Sequence, residues 1–412
     1  MPPFPDIVSD DMASQQLAGT AVPELSGALK RPQASLAAEP FFDARNVPFQ
    51  QRFFSLPSAI TLPCQKPFTL IYSLLLPYNY SAFHEPQVYN AMALPRLTRG
   101  DYTVALICPM AHELAPLGEM LDQNHQPLQT IRDQNSYKLG SMAGHNVVIA
   151  TMPGTGTHKA ATVATQLLND FPSIRFGLLV GIGGGIPSAN VDIRLGDVVV
   201  STPTGGFGGV VQLDRGKNLS DGKFMRTGSL AKPPPVLSAH VAQLSGTHEA
   251  RGNQIKTFLS KLNPYMKTGG YTYQGSQQDL LFWANYTHPD EGTCEKCDPT
   301  KLKERHPRDD GDIPKIHYGT IGSSNSVIKD GEFRDKLRKE LGIICVEMEA
   351  AGLMDDFPCL VIRGICDYAD THKNDRWQRY AAATAAAYAK ELLSTIPSAD
   401  MVTAPVAIQG GM

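Results

Sequence analysis

With 412 residues, 42% of them apolar and 19% charged, the chain has material for one large domain or two small ones. A formal net charge of −3, from 37 basic and 40 acidic side chains, gives no electrostatic footing for nucleic-acid binding. Seven cysteines, an odd number in a chain this long, do not suit a disulfide framework and point to reduced thiols in the cytoplasm.

Residues 1–98 carry scattered prolines, weak periodicity and frequent turn residues, and read as a poorly ordered leader. Met1 to Asp11 has neither the basic nor the apolar region of a secretory signal. Phe68 to Leu76 is the most apolar early run, but it is too short to cross a bilayer and Pro77 ends it. No membrane partner is expected.

The pattern changes at Asp101, and the stretch 99–398 reads as one domain. Apolar runs at Thr103–Cys108, Val147–Met152, Phe176–Val180 and Asp197–Ser201 read as short strands, and so do Lys315–Ile321, Ile343–Val346 and Cys359–Ile365. Helices are predicted from Ala111, over Thr157–Asn169 with Thr157 as N-cap, and over the alanine-rich Arg376–Ile396. Strands alternating with helices predict an α/β fold, a central mixed β-sheet flanked by helices. The rhythm lapses over about 204–314, which reads as an insertion with helices at Val236–Leu244 and Gln254–Leu262. Residues 399–412 form a tail.

Three carboxylates fall at the carboxyl ends of predicted strands, where α/β sheets place their active sites. Glu113 follows the first strand in Pro109-Met110-Ala111-His112-Glu113. Glu349 follows Ile343–Val346 within Cys345-Val346-Glu347-Met348-Glu349-Ala350-Ala351-Gly352. Asp367 ends the run Arg363-Gly364-Ile365-Cys366-Asp367. A carboxylate at the end of an apolar strand is costly unless something uses it. Burial there is expected to raise the pKa of Asp367, leaving it a proton near neutral pH. Glu349, ionised, can accept two hydrogen bonds from vicinal hydroxyls. As alternatives, Glu113 and Glu349 fit first-turn helix acids, and Asp367 fits a helix cap or a partner for Arg363.

These motifs, together with Gly181-Ile182-Gly183-Gly184-Gly185, resemble the nucleoside phosphorylase and nucleosidase superfamily over roughly residues 101–396, and its purine-handling branch most closely. Nucleosidase-like domains of fungal proteins, some fused to signalling modules, are the nearest in pattern. The resemblance implies a three-layer nucleoside phosphorylase-like sandwich acting on a purine nucleoside, as a dimer or larger, without a cofactor. It implies that Asp367 protonates the leaving base at N7 and that Glu113 activates water. It places Glu349 and Met348 on the ribose, with Glu347, Gly183, Gly184, Ile182, Val327, Ile328 and Cys366 completing the substrate site. Ile182 stands where bacterial nucleosidases carry a serine that supports the acid, so the holding of Asp367 needs another source. Val327 stands about where those enzymes place a phenylalanine, and Phe207 or Trp283 could supply the missing ring.

Hexameric purine phosphorylases carry an arginine and a serine on phosphate where this chain has Leu179 and Ile182. Neither residue offers a dianion a donor, so water is the expected nucleophile. Purine ribonucleoside hydrolysis is therefore the leading reading. Phosphorolysis and purine sensing without turnover are the alternatives. His158 and Lys159, after Gly154-Thr155-Gly156-Thr157, read as a helix start more readily than as an anion site. Cys294-Glu295-Lys296-Cys297, with His288 and His306 nearby, is half a zinc signature, and two free thiols in a loop is the favoured reading, with no metal expected.

Overall fold

The computed structural model describes residues 94–129, 134–290, 292–309 and 311–407, all within one compact unit. The expected leader, except for its last five residues, lies outside the described residues. The first elements are β1 (Val104–Cys108), α1 (Ala111–Glu119), β2 (Gln123–Asn124), β3 (Ser136–Met142), β4 (His145–Thr151), α2 (Thr157–Asp170) and β5 (Phe176–Gly185). Next come β6 (Val198–Ser201), β7 (Val210–Gln212), β8 (Gly216–Asn218), β9 (Phe224–Arg226), α3 (Pro235–Arg251), α4 (Ile255–Ser260) and α5 (Pro264–Thr268). The chain continues through β10 (Ile316–Gly319), β11 (Ile321–Ser323), α6 (Gly331–Leu341), β12 (Cys345–Glu347), β13 (Cys359–Asp367), α7 (Gln378–Thr395) and α8 (Asp400–Thr403).

The main sheet is mixed, in the order β10-β6-β13-β5-β1-β4-β3-β2, and β12, β11 and β7 extend from the far half of β5. β1 lies parallel to both β4 and β5, and β13 lies parallel to β5 and antiparallel to β6. Alternation along β1 sends Val104, Leu106 and Cys108 to a core shared with α1, α3 and α7. Ala105 and Ile107 point to the opposite core, beneath α2 and Phe357. Both faces of the sheet are thus covered, which is why its central strands read as unbroken apolar runs.

α7 lies directly on β13. A Cβ on Gly364 would collide with the Ala381 carbonyl oxygen, so only glycine permits the approach. Ala381, Ala382, Ala383, Ala385, Ala386, Ala387 and Ala389 are all buried there. Alanine is both a strong helix former and small enough for that spacing.

Several elements differ from the sequence expectation. β5 continues through the glycine segment instead of turning at it, because Gly184 and Gly185 pair antiparallel with Val346 and Cys345. The run expected over Lys315–Ile321 is two strands interrupted at Thr320, which lets β10 join one half of the sheet and β11 the other. Thr157 is the first helical residue and not the N-cap. Gly156 precedes the helix, and Asn325 Oδ1 accepts from both the amide and the hydroxyl of Thr157 at 3.0 Å. α6 carries no apolar stripe that announces it, since only Gly331, Arg334 and Leu337 are buried. Its ends are nonetheless marked, by Asp330 accepting from the amides of Glu332 and Phe333 and by left-handed Gly342.

The 204–314 segment is tied to the sheet by charge. Arg308 donates twice to buried Asp197 at 2.7 Å, and His317 lies 2.9 Å from the same carboxylate. No helix among the described residues is long and apolar enough to cross a membrane.

Candidate active site

A cavity of about 230 Å³ opens at the carboxyl ends of β1, β5 and β13. Glu113, Glu349 and Asp367 all line it, as do Met348, Glu347 and Cys366. Ile182, Gly183, Gly184, Val327 and Ile328 complete the set expected from sequence, and every one of those residues is brought together here. Phe207 and Trp283 are not among the lining residues. Phe207 packs in a small cluster beside Ile328, and Trp283 sits in a separate concavity beneath the Lys303 ammonium. His158 and Lys159 also lie outside the lining.

Glu113 enters at the third position of α1 and is 1% exposed. Its Oε2 accepts from the Met110 amide at 2.6 Å and its Oε1 from the Ile182 amide at 2.8 Å. Burial pushes its pKa up to about 8, against the opposing pull of Arg363 and the two amides. A Cβ at Gly181 would lie 2.5 Å from Arg363 Nη1 and 2.6 Å from Glu113 Oε1, so that glycine is what admits both groups.

Glu349 and Glu347 flank one buried cation. Arg363, 1% exposed, donates through Nη2 to Glu347 and, at 3.1 Å, to Glu349 Oε2. Its Nη1 donates to the Ile182 carbonyl at 3.2 Å. Glu349 Oε1 accepts from the Gly156 amide at 3.1 Å, at the head of α2. Glu347 also accepts from the amides of Glu349 and Ala350 at 3.0 Å, which shapes the turn that aims Glu349. Burial raises the Glu349 pKa and nearby Glu347 adds to it, while Arg363 works in the other direction.

Asp367 departs from its expected raised pKa, and the alternative pairing with Arg363 does not form either. Its partner is Lys373, and Arg363 instead serves the two glutamates. Its pKa is lowered, not raised: burial pushes upward, but the Lys373 ammonium, the Cys366 thiol and the Ala369 amide together outweigh it. Cys366 Sγ donates to Oδ2 at 3.0 Å, and the Ala369 amide donates to Oδ1 at 2.8 Å. These contacts hold the Asp367 carboxylate without a serine at position 182. A bulge at Cys366 shifts the pairing, so that Ile365 faces Gly183 and Asp367 faces Gly184. A Cβ at Gly184 would lie 2.9 Å from Asp367 Oδ1. Ala369, with φ of 52°, then turns the chain back so that Lys373 reaches the carboxylate.

Arg363 and Lys373 are the charged cavity-lining residues that sequence reading missed. Arg363 was visible only as an alternative partner for Asp367. Lys373 follows Asp367 by six residues through an irregular turn, a spacing no periodic pattern marks.

The chain belongs to the phosphorylase superfamily, whose family model matches residues 103–396. Among individual relatives, a nucleotide-binding leucine-rich repeat (NLR)-like protein of Hyaloscypha variabilis is 46% identical over 309 residues, 74% of this chain. The match spans only 30% of that longer protein. A 5′-methylthioadenosine/S-adenosylhomocysteine nucleosidase of Mycobacterium bovis is 26% identical over 72% of this chain and 97% of its own length. ATP nucleosidase Cap17 of Escherichia coli is 24% identical over 58% of this chain and 39% of its own length. Among solved structures, the Neisseria meningitidis 5′-methylthioadenosine/S-adenosylhomocysteine nucleosidase, in complex with methylthio-immucillin-A, is 18% identical. It covers 71% of this chain and 99% of its own with a TM-score of 0.47.

Proposed function

We propose that the chain is a purine ribonucleoside hydrolase, cleaving the N-glycosidic bond to free base and ribose. The observation that carries this reading is the convergence of Glu113, Glu349 and Asp367 on one cavity beside the glycine-rich end of β5. Its relatives named as nucleosidases favour the same reaction class.

In this reading Glu349 accepts hydrogen bonds from the ribose hydroxyls and offsets positive charge as the sugar becomes an oxocarbenium ion. Met348, half-buried, lies against its apolar face. Ionised Glu113 takes a proton from water as the water oxygen bonds to C1′. The C1′–N9 bond breaks, and N7 of the departing purine takes a proton from the Asp367–Lys373 pair. Because Asp367 is ionised at rest, the pair as a unit is the acid: the proton enters from the Lys373 ammonium through the carboxylate. This revises the simple picture of a carboxyl protonated in advance.

The cations in the cavity support water over phosphate. Arg363 and Lys373 are the only Lys or Arg residues among the lining, and each is already joined to a carboxylate. A phosphate dianion would have to displace Glu347 or Asp367 to gain a cationic donor.

The relationship to a segment of a longer NLR-like protein favours a second reading, in which the same cavity binds a purine nucleoside without turning it over. One experiment separates the readings. Purified protein is incubated with adenosine, inosine, guanosine, methylthioadenosine and ATP, with and without phosphate, and the products are separated by chromatography. Free base without phosphate supports hydrolysis and names the substrate. Base released only with phosphate replaces it with phosphorolysis. Binding with no release leaves the sensing reading.

A further inference from the structure

The 204–314 segment carries a cluster that the reaction above does not use. Cys294, Glu295 and Lys296 form one turn of 3-10 helix, closed by the Cys297 amide donating to the Cys294 carbonyl at 3.2 Å. That turn brings both thiols to one side, and His288 meets them. One donor atom from each of His288, Cys294 and Cys297 lies within 4.8 Å of the other two. Tetrahedral zinc with two sulfur and two nitrogen ligands places its donors about 3.3–3.8 Å apart, so small side-chain rotations close the set.

The imidazoles are arranged as metal ligands are. His288 is 9% exposed. Its Nδ1 lies against the Asp290 carbonyl and, at 3.3 Å, the Asp290 amide, and its Nε2 is buried without a hydrogen-bond partner. A ring nitrogen fixed by a carbonyl, with the other lone pair free, is the usual state of a ligating histidine. His372 lies beside it, with ring centroids 5.2 Å apart, and it is 6% exposed. Neither of its nitrogens has a hydrogen-bond partner, although Nδ1 faces the Asp370 carboxylate at 3.6 Å. The Nε2 atoms of both imidazoles are buried at this junction without a partner, which is costly unless something binds there.

We propose that His288, Cys294, Cys297 and His372 hold one zinc ion. The close group is His288, Cys294 and Cys297 alone; His372, whose ring lies beside that of His288, completes the set by a side-chain rotation, and His306 does not take part. Two thiols each release a proton on binding, and two thiolates with two neutral imidazoles leave the buried site uncharged. Soft sulfur with imidazole in this number selects zinc over magnesium or calcium.

The site joins two parts of the chain. Three ligands come from the 204–314 segment, and His372 comes from the loop that follows β13, between Asp367 and α7. The His288 amide already donates to Thr371 Oγ1 at 2.9 Å across the same junction. His372 also immediately precedes Lys373. A second cavity, of about 230 Å³, runs from Cys294 and His372 to Asp367. Zinc would therefore fasten the segment to the loop that positions the Asp367–Lys373 pair.

The test is independent of turnover. Full-length protein purified under reducing conditions without chelator is assayed for metal by mass spectrometry. One zinc per chain is expected, released by a thiol-reactive mercurial. Cobalt exchanged into the wild-type protein should show thiolate charge-transfer bands and the intense visible bands of a tetrahedral ion. Cys294→Ser with Cys297→Ser, and separately His372→Ala, should each lower zinc occupancy at least tenfold at limiting metal, while His306→Ala leaves it unchanged. Should a variant misfold, the cobalt spectrum of the wild-type protein still decides. The proposal is overturned by protein that binds neither zinc nor cobalt after reconstitution. A Cys294–Cys297 disulfide in reduced-purified protein, or full occupancy in His372→Ala, also overturns it.

Discussion

The Lys373 ammonium sits on the Asp367 carboxylate and holds it ionised, at the end of the strand where a carboxyl buried alone would keep its proton. The pair arises from local geometry. Ala369 takes a left-handed turn, and the six-residue return brings the lysine over the acid.

Removing either partner should therefore have different effects. In the proposed hydrolysis Asp367→Asn abolishes proton delivery, and kcat should fall by about 10²–10⁴. Lys373→Met removes the strongest opposition to burial and leaves only the Cys366 thiol and the Ala369 amide, so the Asp367 pKa rises and the carboxyl carries its own proton at low pH. The variant should lose more activity above neutrality than below it. An unchanged pH profile in Lys373→Met would remove the lysine from the reaction.

In the proposed hydrolysis Glu113 is the base and sets the other limb. A base must be ionised, and this carboxyl titrates at about 8. kcat/KM should climb about tenfold per pH unit below that value and level off above it. Glu113→Gln should lose both the rate and the limb. The same shift affects folding. The native pKa lies above the unfolded value of 4.5, so the native state binds the proton more tightly. Its contribution to stability is full below pH 4.5 and is lost as pH rises toward about 8. Urea melts across that window should show the decline, and Glu113→Gln should flatten it.

Arg363 bridges two buried glutamates. Arg363→Met leaves them unpaired and should cost about 3–5 kcal/mol, read from the denaturation midpoint. Adding Glu347→Gln to that variant should recover part of the loss, because the two positions are directly coupled. Strictly additive effects would show that the ion pair contributes little.

Two glycines separate packing from propensity. Gly364→Ala would drive a methyl group into the Ala381 carbonyl and should destabilise by about 1–3 kcal/mol. Gly246, in the middle of α3, has nothing within 4 Å of a new Cβ. Gly246→Ala should stabilise by about 0.4–1 kcal/mol. Thermal melts of both variants give the comparison.

Much of the central sheet was legible because its strands are buried on both faces and therefore apolar throughout, as in Phe176–Val180 and Cys359–Ile365. β3 was not, since Ser136-Tyr137-Lys138 mixes polar and apolar residues along a partly open edge. α6 was missed for the same reason, with Arg334 as its most buried large side chain. The cavity residues were legible as carboxylates and glycines at strand ends. Their protonation was not, because it depends on Lys373 and Arg363, whose contacts arise from an irregular turn and a cross-strand placement that no local pattern encodes.

The cavity wall has two unequal halves. At Gly183 and Gly184 a single added carbon would lie 2.8 Å from Cys345 Sγ and 2.9 Å from Asp367 Oδ1. Val327, on the facing lip, stands 54% exposed. Sequence change at the first half disturbs the fold and the chemistry together, whereas at the second it costs little folding energy. If the proposed hydrolysis is right, bond cleavage is inherited as a block, while the choice of nucleoside is free to drift, residue by residue, along 326–328.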